Sequence, residues 1–440
     1  MHIILLSGGS GKRLWPLSND IRSKQFIKIF KKEDGTYESM VERVYRQIKE
    51  IDPDATVTVA TSKSQVSVIH NQLGADVGIS VEPCRRDTFA AIVLATAYLT
   101  DVKGISPEEP VVVCPVDPYV EKDYFMALAA LSARAKEGSA NLVLMGIEPT
   151  APSEKFGYIL PEDGETISAV RAFKEKPTRD VAEKYIAEGA LWNGGVFAYK
   201  PSYVLSRAHE LIDFTDYHDL FSRYDTLKKI SFDYAVVENE KKIEVIRFGG
   251  VWRDLGTWST LTSAMEESTV GEGVIGDGCE NVHILNEMNL PVLTMGVSDV
   301  VVAVSPEGIL VSDKERADFI KPYVEKISSR VMFAEKSWGS FRILDAGESW
   351  LTVKVTLNAH HAMNYHSHSH RDELWTVTEG EGYAIIDGTE LRLTVGSVIR
   401  IPRGARHTVF AETELKLIEV QTGDEISVAD KQKFPMPERS

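Results

Sequence analysis

Two stretches of this chain carry residue types at spacings that chemistry uses. The first is Ser7-Gly8-Gly9-Ser10-Gly11-Lys12-Arg13, with Lys24 one short loop later. Three glycines within four residues let the backbone bend sharply and leave its N–H groups bare. From Lys12 to Lys32 there are seven basic residues against one acidic, in a chain of formal net charge −16. Bare amides and local cations in an acidic chain describe a cradle for a small polyphosphate. Gly8, Gly9, Gly11, Lys12, Arg13 and Lys24 would line it. The second stretch is Asn364-Tyr365-His366-Ser367-His368-Ser369-His370-Arg371-Asp372-Glu373, followed by Pro402-Arg403-Gly404-Ala405-Arg406-His407. Residues two apart on a strand face the same way, so His366 and His368 can both point inward. With Glu373 and His407 they make three imidazoles and a carboxylate. That set suits Zn, Mn, Fe, Co or Ni, and spacing does not choose among them. Surface histidines would account for the first cluster alone, but not for the second motif.

The glycine loop is neither of two common types. A Walker A loop needs Gly-x4-Gly-Lys-Ser/Thr, but Arg13 follows Lys12; the dinucleotide fingerprint needs a third glycine where Leu14 stands. The longer string Gly8-Gly9-x-Gly11-x-Arg13-Leu14-Trp15-Pro16-Leu17-Ser18, then Lys24-Gln25-Phe26, closely resembles the signature of the sugar-1-phosphate nucleotidylyltransferases. Trp15 and Lys24-Gln25-Phe26 point to the mannose-1-phosphate guanylyltransferase branch. The resemblance implies transfer of GMP from GTP to mannose 1-phosphate, with GDP-mannose and pyrophosphate as products. It also implies roles for residues that spacing alone leaves open. Arg13 and Lys24 would hold the phosphates.

Asp117, in Pro115-Val116-Asp117-Pro118, and Asp254, in Trp252-Arg253-Asp254-Leu255-Gly256-Thr257-Trp258, would hold Mg2+ through oxygen ligands. Pro118 stands where the family has His. By itself Asp117 is also a good turn former, and Asp254 a cap for a helix beginning near Thr257. Glu82, Arg86 and Thr88 match the family's Glu-Pro-x-x-Arg-Asn-Thr beside the base, with Asp87 replacing Asn. A carboxylate there can accept from guanine N1–H and N2–H, which adenine does not offer. Asp87 or Thr88 could equally be the N-cap of the apolar helix that follows. On the sugar-phosphate side, the matches are Gly157 in Phe156-Gly157-Tyr158, Glu175 and Lys176 in Phe173-Lys174-Glu175-Lys176-Pro177, and Asn193 and Gly195 in Trp192-Asn193-Gly194-Gly195. The missing side chain of Gly157 would let a sugar approach the backbone.

The histidine stretch resembles the double motif of metal-binding cupins. Behind a guanylyltransferase, such a cupin is often a type II phosphomannose isomerase, interconverting mannose 6-phosphate and fructose 6-phosphate. That chemistry needs a base and an electrophile for the developing oxyanion; His370, Arg371 and Lys354 stand near the ligands in sequence as candidates. Three departures weigh against it: Ser337-Trp338-Gly339 replaces Arg-Pro-Trp-Gly, His366 replaces Gln, and residues 424–440 lack the family's acidic tail and Tyr-Gly-Arg ending. The alternatives are a guanylyltransferase with a purely regulatory cupin, a catalytically dead nucleotide-sugar sensor, and a nucleotidyltransferase for another sugar 1-phosphate.

These groups need elements to position them. Ile3 to Leu6, Val111 to Cys114 and Leu142 to Met145 read as buried strands, alternating with helical patterns such as 38–51 and 63–73. That rhythm predicts an α/β, Rossmann-like domain with a mostly parallel sheet and ligands beyond the carboxyl ends of its strands. The expected domains are 1–267 for nucleotidyl transfer, 268–330 for short strands and a connecting helix over 316–327, and 331–423 for a cupin β-barrel, with 424–440 as a tail. At 440 residues the chain exceeds one ordinary core. No apolar run has the roughly 18 residues of a membrane helix, and the N-terminus lacks a secretory pattern. Three scattered cysteines fit free thiols and a cytoplasmic setting. The acidic balance argues against a nucleic-acid partner. A homodimer is expected, with Mg2+ for transfer and zinc or a similar divalent metal in the barrel.

Overall fold

The computed structural model describes residues 1–9, 12–19, 21–327, 330–427 and 430–437. The chain divides into two compact units. One comprises Met1–Ser10, Ser23–Val66 and Asp76–Glu266; the other comprises Gly11–Arg22, Ser67–Ala75 and Glu267–Ser440.

The first unit is built on a nine-stranded sheet. Its order is Gly78–Glu82, Thr56–Ser62, His2–Leu6, Val111–Pro115, Leu191–Tyr199, Leu142–Ile147, Ile243–Phe248, Ile167–Lys174, Gly157–Pro161. All run in one direction except Leu191–Tyr199 and Ile167–Lys174, which pair antiparallel with their neighbours. A strand buried on both faces reads as an unbroken apolar run, and Ile3, Ile4, Val111, Val112 and Val113 are at most 1% exposed. The helix Asp87–Ala97 is apolar all round and buried along nearly its whole length. Met40–Ile51 is amphipathic and begins with a capping box between Ser39 and Glu42, burying Met40, Val41, Val44 and Ile48.

The second unit opens with short parallel rungs. Thr269–Val270, His283–Asn286 and Val300–Ser305 form one ladder, Gly273–Ile275 and Val292–Thr294 another, and Gly308–Asp313 folds back antiparallel. A six-stranded and a five-stranded antiparallel sheet then make the barrel around Val353, Val355, Trp375, Val409 and Leu417. The stretch after the glycine loop belongs to this unit and is anchored in it. Ser305 Oγ donates to Pro16 O at 2.6 Å, Trp15 occupies the space a Cβ on Gly308 would take, and Arg22 pairs with Glu287 at 2.8 Å.

Three local expectations are corrected. The connecting helix over 316–327 is a 3-10 turn, Arg316–Phe319, and a one-turn helix, Lys321–Val324; Pro322 lacks the N–H that would continue a helix from the preceding turn and suits the first turn of a new one. The helix Asp87–Ala97 has Arg86 at its N-cap with no side-chain bond, while Asp87 sits at φ +68 and accepts from Thr88 N at 2.8 Å. Thr257, not Asp254, is the N-cap of Trp258–Ser263 and accepts from Thr260 N.

Candidate functional site

In the first unit, His2–Leu6 and Val111–Pro115 are parallel neighbours with Leu6 opposite Pro115. The glycine loop and Asp117 therefore leave the sheet at the same edge, beyond the carboxyl ends of the strands. A buried polar network fixes that loop. Ser23 Oγ donates to Gly9 O (2.7 Å), Gln25 Nε2 to Ser7 Oγ (3.0 Å), and Gln65 Nε2 to Ser23 Oγ (2.6 Å). Nothing lies closer than 3.9 Å to a Cβ built on Gly8 or 4.0 Å to one on Gly9, so the loop leaves open space.

Pro118 starts the short strand Pro118–Val120, which pairs with Trp252–Asp254 and sets Asp254 opposite Pro118. Two carboxylates far apart in sequence thus meet. Lys24 Nζ lies 2.8 Å from Asp117 Oδ2 and 3.8 Å from Asp254 Oδ1, a single cation between two acids. That donor set fits a hard divalent cation, which takes carboxylate oxygens and whose positive charge the ammonium already mimics. Arg13 is exposed and belongs to the second unit. Gly11 and the Lys12 side chain fall outside the described residues.

On the base side, Glu82 is 8% exposed and accepts from Tyr224 Oη at 2.8 Å. Burial raises its carboxyl above the usual range, with the Tyr224 hydrogen bond opposing. Arg86 donates to Asp225 O, and its Nε is buried without a hydrogen-bond partner. Thr88 Oγ1 accepts from Phe232 N at 2.9 Å, so its hydroxyl holds the chain.

The sugar-phosphate candidates converge at the bend of Leu191–Tyr199. Asn193 is opposite Gly157 on one neighbour and Gly146 on the other, and the register shifts after it, where Gly195 takes φ +71. Asn193 Nδ2 donates to Asp233 Oδ1 at 2.6 Å, and its Oδ1 accepts from Gly195 N at 3.1 Å. Lys176 Nζ lies 2.7 Å from Glu175 Oε1, while Glu175 Oε2 is buried without a partner. The space beside Gly157 is not open to a sugar: a Cβ there would stand 2.5 Å from Glu175 Oε2 and 2.9 Å from Phe173 Cζ. This glycine makes room for the carboxylate. Phe156 packs alongside at a tilt to Trp192 and edge-on to Trp252, with centroids 4.9 and 5.4 Å apart, and both indole N–H groups are buried without a hydrogen-bond partner.

In the second unit, ligand atoms of His366, His368 and His407 lie within 4.8 Å of one another. Glu373 joins them, with Oε1 3.1 Å from His368 Nε2 and Oε2 3.4 Å from His407 Nε2. All four are at most 4% exposed, and His407 Nε2 is a buried nitrogen with no hydrogen-bond partner. Burial first, then the Lys431 charge, drives the His366 imidazole down to about 2, so it stays neutral as a ligand must. Burial alone would raise Glu373, but contact with His368 and His407 outweighs it and holds the carboxyl well below its usual range. These residues fit a divalent transition metal. Arg371 Nη2 also bonds His368 Nε2 at 2.9 Å, so ligation through that nitrogen requires the guanidinium to withdraw.

Of the other barrel candidates, only Arg371 lies among the ligands. His370 is half exposed beside Asp424, and Lys354 lies on the opposite face of its strand from inward Val353 and Val355, near Glu379. Sequence reasoning gives no role to Glu419, which stands in the family-like Ile418-Glu419-Val420-Gln421 and is raised to about 8 by burial and by Glu373, and it missed Lys431, lowered to about 8 by burial. Lys431 comes from the tail, which adds the strand Lys431–Lys433 beside His366–His368. It also missed Asp233, Tyr224 and Glu238. The i, i+2 spacing of Glu419 and Gln421 with inward Leu415 and Leu417 was a usable signal for Glu419.

Among the described residues, no helix is long and apolar enough to cross a membrane. The family model described as "Nucleotidyl transferase" matches residues 2–270, and "Mannose-6-phosphate isomerase C-terminal" matches 326–435. Relatives include the mannose-1-phosphate guanylyltransferase of Escherichia coli K12, 29% identical over 99% of this chain and 98% of that protein. A putative mannose-1-phosphate guanylyltransferase of Vibrio cholerae O1 is 28% identical over 98% of each. The crystal structure of mannose-1-phosphate geranyltransferase from Thermus thermophilus superposes with a TM-score of 0.62 at 28% identity, covering 74% of this chain and 99% of that one. With one model spanning more than half its length over the glycine loop, both acids and the sugar-side residues, the chain belongs to the nucleotidyl transferase family.

Proposed function

We propose that this protein transfers GMP from GTP to mannose 1-phosphate, forming GDP-mannose and pyrophosphate. The observation that carries the reading is the Asp117–Lys24–Asp254 arrangement at the mouth of the glycine loop. A phosphate oxygen of the sugar phosphate attacks the α-phosphorus of GTP in line, and the α–β anhydride bond breaks as pyrophosphate takes the electron pair. Such a reaction asks the protein for positioning and charge neutralisation, with no covalent intermediate. Gly8, Gly9 and Gly11 supply backbone amides, and Lys12, Arg13 and Lys24 supply cations for the triphosphate. Asp117 and Asp254 would hold Mg2+, which supplies charge neutralisation on the phosphate oxygens. Glu82 selects the base, with Arg86 and Thr88 beside it. Glu175, Lys176, Asn193 and the turn at Gly195 orient the sugar phosphate, and Gly157 gives Glu175 its place.

His366, His368, Glu373 and His407 would hold zinc or a similar metal, which supplies an electrophile for isomerising mannose 6-phosphate and fructose 6-phosphate. A regulatory barrel is the second reading, favoured by the exposure of His370 and the outward Lys354, two of the three candidates for the proton-transfer and phosphate roles. GTP and mannose 1-phosphate are the partners of this reading, in the cytoplasm and without nucleic acid. A homodimer is supported by Val274, Leu293, Ile309 and Val311 on the short rungs, each 59–67% exposed.

A matrix of nucleoside triphosphates against hexose 1-phosphates, scored by pyrophosphate, tests the transfer. The expected optimum is GTP with mannose 1-phosphate, and Arg13→Ala abolishes it while leaving the fold intact. No turnover with any pair would leave the dead-sensor alternative, and a different optimum would reassign the substrate. Direct detection of fructose 6-phosphate from mannose 6-phosphate decides between the two readings of the barrel.

A further inference from the structure

The Asn193 side chain can be written two ways, because its amide oxygen and nitrogen are interchangeable in shape. Only one orientation satisfies both neighbours. Gly195 N–H must meet an acceptor, and Asp233 Oδ1 must meet a donor. Turning the amide over would set N–H against N–H at Gly195 and oxygen against carboxylate at Asp233. Both atoms of the carboxamide are thereby committed inward, leaving one N–H and one oxygen lone pair for a ligand.

The segment that delivers Asp233 is itself fixed at both ends. Phe232 is fully buried, its N–H donates to Thr88 Oγ1, and Ser231 Oγ caps the short helix Phe232–Ala235 by accepting from Tyr234 N. Beyond the helix, Glu238 Oε1 accepts from the backbone N–H of Glu175 at 3.1 Å. One stretch of eight residues therefore touches both arms of the sugar-phosphate side.

We infer that Asp233 is a positioning residue for the sugar phosphate, holding the Asn193 carboxamide in the orientation that presents a donor and an acceptor together to vicinal hydroxyls of a hexose 1-phosphate. The inference rests on the nucleotidyl-transfer reading and adds to it a residue that touches no reacting atom. Burial, with the Glu175 charge second and Lys176 opposing, sets how readily the carboxyl ionises, so its state is tied to the residues it serves.

The test uses the full chain and pyrophosphate release, with KM measured separately for mannose 1-phosphate and for GTP. Asp233→Leu removes the acceptor and should raise KM for the sugar phosphate about tenfold or more, with KM for GTP within about twofold. Asp233→Ala gives the same readout if the larger side chain does not fold. Asp233→Asn restores an acceptor oxygen and should bring the sugar-phosphate KM back to within about threefold of wild type. An unchanged sugar-phosphate KM in the Leu and Ala variants overturns the inference while leaving the transfer reading intact. So does a parallel rise in both KM values, or an Asn variant no better than Leu. Wild-type protein that turns over no hexose 1-phosphate overturns the functional reading and this inference together.

Discussion

Lys24 is held within ion-pair distance of Asp117 and Asp254, two acids whose side chains are 37% and 44% exposed. Two carboxylates converging on one point repel each other unless a cation lies between them. In the protein alone the ammonium fills that place; Asp117 and Asp254 would hold a divalent cation, which would supply charge neutralisation, and Lys24 would then serve the phosphates. Lys24→Met should therefore cost both states: turnover falls by about a hundredfold or more, a loss typical of removing one charge-stabilising group. KM for GTP should rise with it. Retained turnover in this variant would show that the ammonium only screens the acids. Asp233 gives a second prediction at this scale, in pH. Burial first and the Glu175 charge second push its carboxyl up to about 6 from an ordinary 3.8. The unfolded chain then loses this proton at lower pH than the folded one. The contribution is intact below about pH 4 and is lost as pH rises through about 6, by at most about 3 kcal/mol. Melting followed from pH 4 to 7 should show that decline, and Asp233→Asn should flatten it.

At the scale of elements, the parallel strands and the helix over 38–51 were legible because apolar runs and 3.6-residue periodicity are local properties. The candidate metal site was legible for a similar reason: His366 and His368 stand on one strand face, and a two-residue period needs no knowledge of the rest. What stayed hidden was long-range. No local pattern says that Pro118–Val120 pairs with Trp252–Asp254, so the meeting of Asp117 and Asp254 came only through resemblance. Nor does spacing announce that residues 231–238 cross to Asn193 and Glu175, or that Lys431–Lys433 returns beside His366–His368. Gly157 shows the same limit. Its motif implies room for a ligand, whereas the sheet brings the Glu175 carboxylate into that room. Gly157→Ala should accordingly push Glu175 and Phe173 aside, costing about 1–3 kcal/mol of stability as overpacking does. The sugar-phosphate KM should rise while the GTP KM holds, and an Ala variant with both values unchanged would return the glycine to a purely local role.

For the molecule as a whole, the two candidate chemistries use disjoint residues. The acids, Lys24 and the sugar-side residues lie in the first, and the four barrel ligands in the second. The barrel set has the composition of a transition-metal site, whereas the loop-edge carboxylates suit a hard, oxygen-loving cation. A chelator strong enough to strip the barrel, followed by excess Mg2+, should therefore separate them. The protein as purified should bind about one equivalent of divalent transition metal, and His407→Ala should abolish that binding, since its buried Nε2 faces Glu373 and the other two imidazoles of the candidate ligand set. Pyrophosphate release from GTP and mannose 1-phosphate should stay within about twofold of wild type in the same variant once Mg2+ is supplied. Metal content by mass spectrometry and the pyrophosphate assay, run on one preparation, read the two units at once. Loss of guanylyl transfer together with barrel metal would mean that the second unit controls the first, and the regulatory reading of the barrel would then take precedence over the isomerase.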